Sequence, residues 1–202
     1  MRIAPRTATA WLGLWLLPLG SLSAQRPHRS GLWFELCNGP AFVRVASSEP
    51  ATVTTKTGIG SCVRLGGTLS DKVFLGVEAF DFLDETFGFV SQDTTLVAEN
   101  EALTGLVLWY PGRSGFFLKA GVGVAEGTFT VRTSPSELVK ANGTGVGLTF
   151  GIGYEVPISR KFALTANLEA VITAIGDYVL PAGRVEDVIA TIYHAGLGIA
   201  IR

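Results

Sequence analysis

From Gly31 onward, apolar residues recur at every second position. Gly145–Glu155 shows the period plainly: Val146, Leu148, Phe150, Ile152 and Tyr154 fall on one face, and Gly145, Gly147, Thr149, Gly151, Gly153 and Glu155 on the other. A helix would mix these two sets, whereas a strand separates them. Phe116–Val124 and Phe162–Ile172 repeat the pattern. Eight strands are predicted, near residues 31–45, 56–68, 73–82, 96–110, 115–128, 143–156, 162–174 and 188–201, with 52–60 and 94–102 ambiguous.

The connections alternate as well. Those at 69–72, 111–114 and 157–161 are short, and those between are longer and polar, with 84–93, 134–143 and 177–187 read as loops. An even number of antiparallel strands with short turns at one end and long loops at the other is the rhythm of an up-and-down transmembrane barrel. The expected fold is therefore all-β: an eight-stranded antiparallel up-and-down transmembrane β-barrel.

A soluble barrel would turn its apolar face inward and a charged face to water. Here the apolar face is almost free of charge and the other face is rich in glycine. Glycine makes a poor solvated strand surface but leaves room inside a narrow bore. The apolar face is accordingly assigned to lipid. Trp33, Phe34, Phe74, Trp109, Tyr110, Phe116, Tyr154 and Phe162 gather at the short-turn ends, which predicts an aromatic ring at one membrane boundary. In hydrocarbon an open sheet edge is excluded, so the last strand must pair with the first.

Composition narrows the class further. The 202 residues carry only 16% charged side chains against 48% hydrophobic ones, and the formal net charge is −1. That balance argues against a nucleic-acid partner, which needs a basic surface. Residues 1–24 read as a secretory signal peptide: Arg2 and Arg6, a short apolar stretch from Trp11 to Gly20, then small residues up to a cut placed after Ala24. Residues 25–202 are left as one barrel domain.

The predicted inward face carries the candidate chemistry. Arg64 and Glu78 are equally spaced about the turn residue Asp71, which sets them opposite each other in a symmetric hairpin. With Glu35, Lys119, Glu169 and His194 they are expected to form a structural network filling the lumen, since lone ions in a narrow bore would be costly. Thr149 and Asn167 share that face. Cys37 and Cys62 are equidistant from the first long loop. Two readings stand for them, a cross-strand disulfide in an oxidising compartment and two free buried thiols. Two cysteines and two distant histidines give no metal-ligand spacing, and no cofactor motif is present: the glycine runs at 121–127 and 143–153 do not make G-x-G-x-x-G. His194 has no serine beside it in sequence, so no catalytic set is assigned.

GLWFELCNGP (31–40), CVRLGGTLSDKVFLGVE (62–78), YPGRSGFFLKAGVG (110–123) and GTGVGLTFGIGYEV (143–156) are glycine-rich strands and tight turns. They resemble the hairpins of bacterial outer-membrane β-barrel proteins, in particular the small eight-stranded OmpA- and OmpX-like ones. The closing residues 194–201 are similar to the assembly signal of such barrels, except that the chain ends in Ile201-Arg202 rather than an aromatic. The resemblance implies a Gram-negative cell envelope, location in the outer membrane, outer-membrane lipids and the barrel assembly machinery as partners, and loops that could meet an extracellular ligand. The expected function is a non-enzymatic barrel with a plugged polar lumen and a structural or interaction role. The alternatives are a porin-like small channel or transporter for hydrophobic solutes, hinted at by a β-bulge candidate at Asn38-Gly39-Pro40, and a lipid-modifying enzyme.

Overall fold

The computed structural model describes residues 31–48, 52–83, 88–91, 94–112, 114–134, 137–180 and 183–202. The expected signal peptide at 1–24 lies outside them. Nine strands are present among the described residues: β1 (Leu32–Ser47), β2 (Thr52–Ser70), β3 (Val73–Leu83), β4 (Gly88–Ser91), β5 (Thr94–Trp109), β6 (Phe116–Ser134), β7 (Glu137–Pro157), β8 (Phe162–Leu180) and β9 (Gly183–Ile201). Eight of them close into an antiparallel barrel, with β9 pairing to β1 and β3 to β5; β4 pairs only with the upper part of β5. No helix among the described residues is long and apolar enough to cross a membrane.

The register fixes the geometry of the cylinder. Cross-strand partners followed from Leu32 through Gly67, Leu75, Val107, Ala120, Phe150, Ala170 and Tyr193 return to β1 at Phe42, ten residues further on. Ten residues of roughly 3.3 Å rise against eight strands roughly 4.8 Å apart set a tilt of about 40°. At that tilt the outward apolar run from Val146 to Val156 spans about 25 Å, the height of the apolar band of a membrane barrel. Above it, outward Asp81, Glu101 and Glu126 lie side by side on β3, β5 and β6 and end the band on that flank.

Alternation places the two faces as the sequence pattern requires. Val122, Val124, Val146, Phe150, Ile152, Leu164 and Leu168 point outward and are 46–63% exposed, while Glu35, Arg64, Glu78, Lys119 and Glu169 are buried inside. The glycines explain how the bore accommodates the large groups. A Cβ on Gly153 would strike the Phe117 ring, and one on Gly60 would lie 2.7 Å from the His194 ring.

Several expectations change. The segments 134–143 and 177–187, read as loops, are largely strand: β6 pairs with β7 up to Ser134 and Glu137, and β8 with β9 up to Leu180 and Gly183. Polar residues and glycine signal a loop only where the chain must leave the sheet, and here the backbone ladder continues through them. The ambiguous segments 52–60 and 94–102 are likewise strand. The aromatic ring is smaller than expected. Trp109, Tyr154 and Phe162 face outward with Phe34 and Phe116, but Trp33, Phe74 and Tyr110 are buried in the bore. The Trp33 and Phe74 rings pack 4.6 Å apart, centre to centre, and Tyr110 packs on Phe117. No bulge forms at Asn38-Gly39-Pro40. The β1–β2 register runs through it unbroken, and the β1–β9 ladder omits Gly39 and Pro40, resuming in the same register at Ala41. A proline has no N–H to give that ladder.

Packing at the glycines predicts a contrast. On Gly123 a Cβ would collide with the Leu103 carbonyl of the neighbouring strand, whereas on outward Gly105 the nearest atom would be 3.7 Å away. Gly123→Ala should lower unfolding stability in detergent or lipid by about 1–3 kcal/mol, and Gly105→Ala should leave it unchanged or raise it slightly. Equal effects would contradict the assignment of inner and outer faces.

Candidate functional site

The interior is stacked in three layers. At the short-turn end Trp33, Phe74, Leu106, Leu108, Tyr110, Phe117, Ala163 and Ala200 make an apolar layer. At the other end Cys37, Ala41, Val43, Cys62, Phe80, Phe82, Ala102, Ala125, Val171, Ala190 and Ile192 make a second. The charged residues lie between.

Arg64 is the node of this middle layer. Its strand lies between β1 and β3, and its direct partners are Glu35 and Glu78. The guanidinium donates through Nη1 to Glu35 Oε1 and to Asn167 Oδ1, each at 3.0 Å, through Nη2 to Glu169 Oε2 at 2.6 Å, and through Nε to Glu78 Oε2. Lys119 Nζ reaches across from β6 and donates to Glu78 Oε2 at 2.7 Å and to Glu169 Oε2. Arg64 and Lys119 thus each bridge Glu78 and Glu169, closing a ring of alternating charge. Glu35 Oε1 also accepts from Thr165 Oγ1 at 2.5 Å and Asn167 Nδ2 at 3.0 Å. His194, the direct partner of Glu169 across β8 and β9, places Nδ1 2.7 Å from Glu169 Oε1 and sets its ring edge against Phe80.

All six residues singled out in the sequence therefore meet in one layer, drawn from β1, β2, β3, β6, β8 and β9. Charge-assisted bonds of this kind are short and directional, and a low-dielectric interior strengthens them. Chemically the layer is a cross-tie. Each carboxylate is held by a cation on another strand, so none of the strands that carry these groups can slide without breaking buried ion pairs.

Cys37 and Cys62 are direct partners on β1 and β2, inside the barrel, and a disulfide joins them with Cα atoms 5.0 Å apart. Their sulfurs and a Glu169 oxygen lie within 4.8 Å of one another. Sulfurs joined to each other offer no thiolate to a metal, so this trio is not a metal centre as it stands.

Sequence reading missed a second polar contact at the short-turn end. Arg202 Nη2 bonds Glu155 Oε1, and the Tyr110 hydroxyl donates to Glu155 Oε2 at 3.1 Å. The signal was parity: Glu155 shares the inward face with Gly153, and Arg202 follows outward Ile201. Asn167 and Thr165 were also missed as network members, because a polar neutral side chain on an inward face has no partner legible in sequence.

Removing Arg64 leaves three buried carboxylates with Lys119 as the one other basic side chain bonded to them besides His194. Arg64→Met should cost about 3–5 kcal/mol of unfolding stability, while Lys72→Ala in an exposed turn should stay within about 0.5 kcal/mol. Denaturant titration of the membrane-reconstituted barrel measures both. Equal small losses would mean that the ring carries no structural load.

No family model matches the chain, and no curated protein matches it by sequence. Solved structures do match its fold. The attachment invasion locus protein Ail of Yersinia pestis superposes with a TM-score of 0.56 at 12% identity, over 83% of this chain and 97% of that one. Neisserial surface protein A gives 0.54 at 13% identity, over 85% and 98%. The outer membrane protein OprG from Pseudomonas aeruginosa gives 0.53 at 17% identity, over 87% and 98%. At these identities the likeness is one of architecture, and the chain has the fold of the small eight-stranded outer-membrane β-barrels.

Proposed function

We propose that the chain is a non-enzymatic outer-membrane barrel with a sealed interior, serving as a structural or interaction element of a Gram-negative cell surface. It is exported by the signal peptide at 1–24, inserted by the barrel assembly machinery, and surrounded by outer-membrane lipids along its apolar band. The observation that carries this reading is the filling of the bore: a ring of ion pairs around Arg64 between two apolar layers. Eight strands enclose a space that side chains can fill, and here they fill it with groups bonded to one another. The six residues Glu35, Arg64, Glu78, Lys119, Glu169 and His194 act as a structural network, and the Cys37–Cys62 disulfide as a covalent tie between β1 and β2. His194 is committed to Glu169 in the closed layer, which favours a structural over a catalytic role.

In this reading, specificity resides at the end where β6–β7 and β8–β9 run on as long hairpins. A ligand outside the cell would meet those hairpins. Ail, which shares the fold, has been seen in complex with the heparin analogue sucrose octasulfate.

One observation favours the hydrophobic-solute channel instead, the interruption of the β1–β9 ladder at Gly39-Pro40. Planar-bilayer recording separates the two. The sealed barrel should give no steady conductance steps. Reproducible single-channel steps from the purified protein would overturn the sealed interior and give the seam at Pro40 the leading role.

A further inference from the structure

Arg44 points outward from the part of β1 nearer the long hairpins, and it is exposed. On the same face Phe42, Thr57 and Tyr193 occupy the rung below it, and Ala46, Val53 and Ile189 the rung above. Neither rung carries a carboxylate, and Arg44 forms no ion pair among the described residues. Val53 and Ile189 are exposed apolar side chains, so the cation interrupts the lipid-facing surface rather than standing clear of it. A charge in such a place is costly and calls for a partner.

The neighbours of Arg44 specify that partner. Its direct cross-strand partners are Thr55 on β2 and Thr191 on β9. Direct partners hold their Cβ atoms about 5 Å apart, so two hydroxyls flank the stem of one guanidinium. A planar guanidinium fork with two hydroxyls is a donor set for phosphate oxygens. A phosphate monoester presents three such oxygens, one for each of these side chains.

The rung below leads into an apolar groove. A groove of about 1070 Å³ crosses the outer wall and takes in β1, β9, β8 and β7. Phe42, Tyr193, Ala170 and Phe150 follow one another through it as direct partners, with the Phe42 and Tyr193 ring centres 6.3 Å apart. Ala170 between two aromatics, and Ala195 beside Tyr193, keep the floor low. Three strand spacings of roughly 4.8 Å give this stretch a length of about 14 Å, enough for much of an acyl chain.

We propose that the β1–β9 face binds one phosphorylated glycolipid of the outer leaflet, of the lipid A class. Its phosphate sits on Arg44, Thr55 and Thr191, and an acyl chain lies in the groove below. The phosphate supplies the counter-charge that the protein does not give Arg44. The inference rests on the outer-membrane setting proposed above, with the long hairpins outside the cell. Bilayer conductance tests the sealed interior and lipid binding tests this face, so the two fail separately.

The experiment adds lipid A to the barrel purified from outer membranes in detergent and counts bound lipid by native mass spectrometry. Lipid A should bind about tenfold or more tightly than lipid A stripped of its phosphates, and Arg44→Gln should weaken it about ten- to a hundredfold. Ala170→Phe, which fills the groove, should weaken both forms. Arg160→Gln, at an exposed turn of the opposite end, should change neither. Heat-dependent gel mobility shows that each variant is folded. Equal binding of the phosphorylated and stripped lipids, or an Arg44→Gln barrel that binds lipid A like the wild type, would overturn the proposal. Phosphatidylglycerol bound as tightly as lipid A would overturn the choice of lipid. If Arg44→Gln instead abolishes self-association and leaves lipid A binding intact, the partner of Arg44 is the acidic flank of a second copy and the proposal fails.

Discussion

Backbone pairing in hydrocarbon dictates almost everything else in this molecule. Each N–H and C=O must find a partner on a neighbouring strand, so the sheet closes, and the alternation of side chains then divides every strand between lipid and bore. Closure with eight strands and a ten-residue stagger leaves little room inside. The bore cannot be lined with large groups all round, and the chain answers with an asymmetric wall. Between Gly143 and Glu155, β7 turns inward glycine at five of seven positions, and β6 contributes Gly121 and Gly123. Arg64, reaching in from β2 on the opposite wall, and Lys119 from β6 meet at Glu169 of β8.

An apolar filling would serve stability as well as a buried ion-pair ring does, because desolvation of the charges consumes much of their attraction. The ring differs in being directional. Arg64 holds carboxylates on three other strands at once, and Lys119 shares two of them. Apolar contacts tolerate a slip of register; ion pairs across a bore do not. We read the layer as the element that fixes which rung of one wall faces which rung of the other, with the apolar layers on either side excluding the water that would loosen it.

Much of this was legible in the sequence, because register in a hairpin follows from distance to its centre. Arg64 and Glu78 about Asp71, and Cys37 and Cys62 about the first long loop, fall opposite each other by that count. What sequence could not supply was the convergence of strands that are not neighbours. Lys119 reaches Glu78 across β5, and Asn167 reaches Arg64 across β1 and β9, and those contacts depend on the stagger of the whole cylinder. The aromatics show the opposite failing. Trp33 and Phe74 share parity with Glu35 and Glu78, so their inward direction was available from alternation, but their position near the turns suggested a membrane girdle instead. The long hairpins escaped notice because their polar residues and glycines read as loops, and only the backbone ladder shows the chain staying in the sheet.

The central claim is that the alternating apolar face meets lipid and the glycine and charged face lines the bore. Residues 25–202 carry two tryptophans, one on each side of that division: Trp109 faces outward and is 47% exposed, and Trp33 faces inward and is 4% exposed. The most direct measurement is fluorescence quenching by lipids brominated on their acyl chains, made on the variants Trp33→Phe and Trp109→Phe. The account requires strong quenching where Trp109 remains and little where Trp33 remains. Strong quenching of Trp33 with Trp109 protected would turn the barrel inside out and contradict it.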